Sequence, residues 1–180
     1  GFEDKANFKR SRDVNDSKLS NHIARARTKV FEIAICNDFD YFITLTIDKE
    51  KLDRYELKEY IKKLGQFIRN YRRDYEADIQ YLLIPEKHKD GAWHMHGLIK
   101  GILKEQLKLF TLEDKLPYRL RELIKEGRKI YNWEKYSEKF GWCTLEPVRS
   151  QEAVSKYITK YIRKSFDTDR GITEKESKLY

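Results

Sequence analysis

Three of the four histidines, His88, His94 and His96, fall within one short stretch, with Glu86 just ahead of them. Neutral imidazoles ligate first-row metals, and a carboxylate adds an oxygen donor, so this mixed set suits a divalent ion with open coordination positions. Far downstream, Tyr157 and Tyr161 stand four residues apart with Lys160 between them. A phenol has a pKa of roughly 10 and is a poor nucleophile unassisted. A metal that withdraws charge from a phosphate, and a nearby ammonium, would make its attack competent. The chemistry on offer is therefore attack by a tyrosine oxygen on a phosphodiester. Each half has a plainer reading. Strand histidines are commonly solvated, and tyrosines on a helix are commonly half-buried packing residues.

These side chains need elements to hold them. In a strand, alternate residues share a face. His94 and His96 would then project together from a strand at Trp93–Lys100, with Trp93 and Met95 on the other face. Asp90-Gly91 is a hairpin signal, so a preceding strand at Asp78–Pro85 would bring Glu86 across to the same patch. His88 shares the parity of Glu86 but lies nearer the turn; it could be a fourth ligand, a substitute for Glu86 or a simple turn residue, and the last is the favoured reading. Ser150 is a helix cap signal for a final helix ending near Lys164, which sets Tyr157 and Tyr161 one turn apart on one face. Val154, Ile158 and Ile162 form the adjoining apolar stripe.

Elsewhere, residues 20–36 suggest a helix, and Asp40–Asp48 reads as a strand. Leu57, Tyr60, Ile61, Leu64, Phe67, Ile68 and Tyr71 recur three and four apart, which predicts an amphipathic helix over about 52–75. Residues 102–139 are expected to hold two short helices, one through Leu107–Leu112 and one through Leu120–Ile124. Gly141–Val148 reads as a fourth strand. This order predicts an α+β fold, a ferredoxin-like split βαβ sandwich with one antiparallel sheet and helices packed on it. The expected organisation is a basic N-terminal arm and helix over 1–38, a catalytic domain over 39–164 with a helical insertion at about 102–140, and a polar tail over 165–180.

The 180-residue chain has 38 Lys+Arg against 30 Asp+Glu and a formal charge of +8, which points to a polyanionic partner. No apolar run reaches the roughly 18 residues of a membrane span, so no membrane partner is expected. Cys36 and Cys143 are too few for a disulfide scaffold. Met95 is the single methionine, so the chain is expected to be a processed product or an excised domain of a longer protein. Arg149, Lys156, Arg163 and Lys164 gather around the tyrosines and are candidate DNA contacts. Arg119, Arg121, Lys125, Arg128 and Lys129 in the insertion could also hold phosphates, against the usual alternative that a charged helix residue is simply solvated.

Taken together, Phe42-Ile43-Thr44-Leu45-Thr46, then His94-Met95-His96 preceded by Glu86, then Tyr157-Ile158-Thr159-Lys160-Tyr161-Ile162-Arg163-Lys164 resemble the HUH-type rolling-circle replication initiators of phages and plasmids, in their two-tyrosine form. The three motifs stand in that family's order over residues 39–164. The resemblance implies a metal-dependent endonuclease and strand transferase. Glu86, His94 and His96 would hold Mn²⁺ or Mg²⁺, and Tyr157 or Tyr161 would attack a single-stranded or hairpin replication origin. The products would be a 5′-phosphotyrosine and a 3′-OH that primes rolling-circle replication. Tyr157 is expected to be the essential nucleophile, Tyr161 the second, and Lys160 a phosphate or phenolate stabiliser. A host or fused helicase is the expected protein partner, and the cytoplasm of a bacterial or archaeal cell, or of a phage-infected host, the expected location. The competing readings are a non-catalytic nucleic-acid-binding module and a related single-strand transposase.

Overall fold

The structure, a computed structural model, describes residues 18, 20–22 and 24–167, with side chains through residue 164. Residues 1–17 of the expected N-terminal arm and helix (1–38), and residues 168–180 of the expected tail, lie outside the described residues. An N-terminal helix, α1, covers 24–36. The elements that follow are β1 (Tyr41–Leu45), α2 (Leu57–Tyr75), β2 (Gln80–Lys87), β3 (Trp93–Lys100), a 3-10 turn (Lys104–Gln106), β4 (Leu107–Leu109), α3 (Tyr118–Lys125), β5 (Tyr131–Trp133), α4 (Glu134–Lys139), β6 (Cys143–Pro147) and α5 (Gln151–Asp167). Among the described residues, no helix is long and apolar enough to cross a membrane.

The described strands form one six-stranded sheet in the order β2-β3-β1-β6-β5-β4, with antiparallel pairing throughout. Its four core strands run β2-β3-β1-β6, so the α+β split βαβ sandwich is the architecture observed. The insertion departs from expectation. Leu107–Leu109 is a strand paired to β5, not a helix. Leu107 packs against the core while Lys108 and Leu109 are exposed, and pairing with β5 satisfies the backbone groups of this three-residue segment. α3 forms where expected, opening directly after Pro117, whose ring is tolerated at a helix start.

Helices cover both faces of the sheet, and strand parity decides which residue meets which helix. Odd positions (Tyr41, Ile43 and Leu45 on β1; Trp93, Met95 and Ile99 on β3; Cys143 and Leu145 on β6) pack with Tyr60, Leu64, Phe67 and Tyr71 of α2 and Tyr136 of α4 in the larger core. Even positions face the other way. There Leu82 and Ile84 of β2 and Leu98 of β3 pack with Val30 and Ala34 of α1 and Val154, Ile158 and Ile162 of α5. The apolar stripe read in the sequence of α5 is thus its buried face. Ser150 starts that helix, its Oγ accepting from the Ala153 N–H at 3.1 Å.

The pairing registers fix the rows that cross the even face. Glu86 stands opposite His94, and Ile84 opposite His96, across β2–β3. Thr44 stands opposite both His96 and Thr144. The row Ile84–His96–Thr44–Thr144 therefore crosses four strands, directly beneath α5. Gly97, the residue after His96, is required for this packing. A Cβ built there would meet the Leu82 carbonyl oxygen at 1.9 Å.

Candidate active site

An aromatic ladder runs along this face from the hairpin to the helix. His88 stacks on His94 with ring centroids 3.6 Å apart, and His94 lies 6.5 Å from His96. The His96 ring stacks on Tyr161 at 4.6 Å and 18°. Tyr161 is 4.6 Å from Tyr157, and Tyr157 is 4.6 Å from Phe42. Two separate chain segments, a strand pair and a helix, thus bring the histidines and tyrosines of the sequence reading together.

The hairpin turn explains how His88 joins them. Asp90 accepts from the Ala92 N–H at 3.0 Å, the His88 N–H donates to the Ala92 carbonyl at 2.9 Å, and Gly91 takes a left-handed φ of +89°. This tight reversal folds the His88 ring back over His94. One ring nitrogen from each of His88, His94 and His96 lies within 4.8 Å of the others. His88 is in the turn, as expected, and it is also part of the cluster.

His96 is clamped on both ring nitrogens. Its Nε2 lies 2.7 Å from Glu86 Oε2, and its Nδ1 lies 3.3 Å from the Thr44 hydroxyl. An ionised carboxylate only accepts, so a proton on Nε2 would face Glu86, and the Thr44 hydroxyl would then donate to Nδ1. Glu86 also meets Lys164 Nζ at 3.3 Å. The hydrogen bond from His96, and then electrostatic attraction to His96 and Lys164, hold the Glu86 carboxyl down to about 2 against the opposing effect of burial. Burial, reinforced by repulsion from His88 and His96, pushes His94 down to about 4, so its imidazole is neutral at pH 7.

A neutral imidazole between two others, with an ionised carboxylate alongside, is a donor set that fits a divalent cation. The residues that could hold one are His88, His94 and His96, with Glu86 available if its contacts to His96 and Lys164 are exchanged.

The two tyrosines sit at different depths. The Tyr157 hydroxyl is enclosed, with the Gly97 backbone as its polar neighbour, and burial raises its pKa well above 10. Tyr161 is half-buried, and its pKa is raised by burial and by Glu86, while Arg119 offsets part of this. Lys160 Nζ and Lys164 Nζ lie 5.3 and 5.6 Å from the centre of the Tyr161 ring.

A cavity of about 580 Å³ opens between α5, β1, β6 and the inserted α3, and both tyrosines and His96 line it. Arg119, Arg128, Arg149 and Lys160 supply its positive charge. Arg119 also reaches Glu146 of β6 at 3.6 Å, which ties α3 across the mouth. Lys156, Lys160, Arg163 and Lys164 line a second, shallower groove on the outer side of α5. Arg149 and Lys160 thus face the site, whereas Lys156 and Arg163 lie along the outer groove. Arg119 and Arg128, for which the sequence left phosphate contact and simple solvation both open, line the cavity, because α3 folds back over the sheet. Sequence reasoning missed the places of Trp142 and Thr44 in the site. The signal for Thr44 is its position on the strand next to the histidine strand.

The family model for the replication-associated protein ORF2 matches residues 40–166. That span runs from just before β1 nearly to the end of α5 and includes every residue of the aromatic ladder. No curated protein and no solved structure matches the chain.

Proposed function

Since the chain belongs to the replication-associated protein ORF2 family, we propose that it initiates replication by cutting a single DNA strand with a tyrosine, as an HUH-type endonuclease. The observation that carries this reading is the stacking of Tyr161 on His96 at 4.6 Å, at the inner end of a three-imidazole cluster and on the wall of a basic cavity.

Tyr161 is the better candidate for the first nucleophile, which reverses the order expected from sequence. Its ring adjoins the histidine cluster directly, whereas the Tyr157 hydroxyl is enclosed beneath it. His88, His94 and His96, with Glu86, would hold Mn²⁺ or Mg²⁺. Bound there, the ion would supply Lewis-acid withdrawal of charge from the scissile phosphate. Arg119, Arg149 and Lys160 would orient the strand and offset its charge. In the cutting step the Tyr161 oxygen bonds to phosphorus, the bond to the 3′-oxygen breaks, the phenolic proton is released and the leaving oxygen is protonated. The exchange of one phosphodiester for another conserves the bond, so the free 3′-OH can later reverse it and rejoin an end. Tyr157 would serve as the second phenol once helix or strand movement exposes it.

The test is incubation with single-stranded origin-like DNA and Mn²⁺, followed by denaturing electrophoresis. A covalent protein–DNA adduct that EDTA prevents and Tyr161→Phe abolishes is expected. Failure to form an adduct across a broad pool of sequences, with DNA binding intact, would favour the non-catalytic binding module instead.

A further inference from the structure

We propose that the cavity between α3 and α5 seats one unpaired nucleotide of the DNA strand, with Trp142 as its stacking platform. The proposal rests on the strand-cutting reading and specifies how that strand is gripped. Of the three tryptophans, Trp93 and Trp133 are 6% and 0% exposed, whereas Trp142 is 37% exposed and lines the cavity. A single exposed aromatic ring is ordinary on a protein surface, but Trp142 stands in the wall of a cavity that cationic side chains also line, where its plane is open to stacking. The Phe110 ring is its aromatic neighbour, tilted at 37° with centroids 6.4 Å apart.

The surroundings select the chemistry of the occupant. Arg119, Arg128 and Arg149 line the same cavity, and Arg119 is partnered there by Glu146. Cationic groups around an exposed aromatic plane suit a phosphate chain whose bases are splayed out. A volume of about 580 Å³ falls within the usual range for a small-ligand pocket and accommodates one nucleotide. A stacked, paired base could not present its face to Trp142, so a duplex is disfavoured. Because Tyr161 and His96 share the cavity, the seated nucleotide lies beside the phosphate to be cut.

The experiment follows tryptophan emission in EDTA, so that binding is read without cutting. Titration with oligothymidylate should quench Trp142, the exposed tryptophan, and duplex DNA should quench it far less. Trp142→Ala should weaken single-strand binding roughly 5- to 150-fold, and Trp142→Phe should restore most of it. An abasic strand should bind the wild type more weakly, and that penalty should shrink in Trp142→Ala. Unquenched emission on a saturated single strand, equal quenching by duplex, or an undiminished abasic penalty in Trp142→Ala would each overturn the proposal. An adduct formed without Trp142 quenching would sink the seat alone. Quenching and the abasic coupling without any adduct in Mn²⁺ would sink the cutting reading alone.

Discussion

The ammonium of Lys164 lies 3.3 Å from the carboxylate of Glu86, joining α5 to the end of β2 across the sheet face. It adds a second cationic contact to a candidate metal ligand that His96 already holds at 2.7 Å. A cation arriving at the histidines must compete with it for the Glu86 oxygens. The pair is partly exposed, so its strength is modest, about 0–1 kcal/mol. Lys164→Met is therefore expected to tighten Mn²⁺ binding, by up to about fivefold, as read by calorimetry. Weakened Mn²⁺ affinity in Lys164→Met would overturn this competition, and Glu86→Gln, which should weaken binding, checks separately that Glu86 takes part in holding the ion.

The ligand set can be separated the same way. His94→Ala and His96→Ala should each weaken Mn²⁺ binding by at least about tenfold, the scale of losses seen for groups that support a metal. If the hairpin fold-back of His88 is functional, His88→Ala should do the same. If His88 merely stacks on His94, its removal should leave the affinity well short of such a loss, within about twofold.

The phenols should respond unequally. Tyr161→Phe is expected to eliminate the adduct. Tyr157→Phe removes an enclosed hydroxyl and should change stability by no more than about 1 kcal/mol. It should preserve the first cut and impair the rejoining step, measured as loss of strand-transfer product relative to adduct. A Tyr157→Phe protein that makes no adduct, while melting normally, would return the first role to Tyr157.

Gly97→Ala should be among the most damaging single substitutions in the sheet. Its new Cβ would fall 1.9 Å from the Leu82 carbonyl oxygen, forcing β2 and β3 apart. A loss of at least about 3 kcal/mol is expected, at the severe end of overpacking, with Mn²⁺ binding lost alongside it because Glu86 and His94 pair across the same strands. Thermal melting with and without Mn²⁺ would show both.

The two thiols should differ sharply. Burial pushes Cys143 up to about 12, while Cys36 is exposed on α1. At a mildly alkaline pH the Cys143 sulfur stays protonated and enclosed, so a thiol reagent should titrate Cys36 alone in the folded protein and both cysteines after unfolding.

Periodicity made the site's main elements legible. The two-residue spacing of His94 and His96, the Asp90-Gly91 turn and the four-residue spacing of Tyr157 and Tyr161 each state a local geometry, and those elements form. The insertion was less legible. Leu107, Leu109 and Leu112 carry spacing compatible with a helix or a strand, and only pairing with Tyr131–Trp133, far along the chain, decides for the strand. The depth of Tyr157 was also hidden. It depends on Phe42 and Gly97, from two different strands, meeting the same turn of α5. The approach of Arg119 and Arg128 to the site likewise depends on where α3 lands after the chain crosses β4.

The alternation of side chains across the sheet also sorts the consequences of mutation. Odd positions on β1, β3 and β6 belong to the dry core with α2, whereas even positions divide between the smaller core under α5, which takes Leu98, and the ladder and cavity, which take the polar ones. A saturation screen that scores abundance and DNA joining separately should therefore beat with a period of two. Odd sites would register mainly as missing protein, and even sites such as Thr44, His94, His96 and Thr144 as protein that accumulates but does not join DNA.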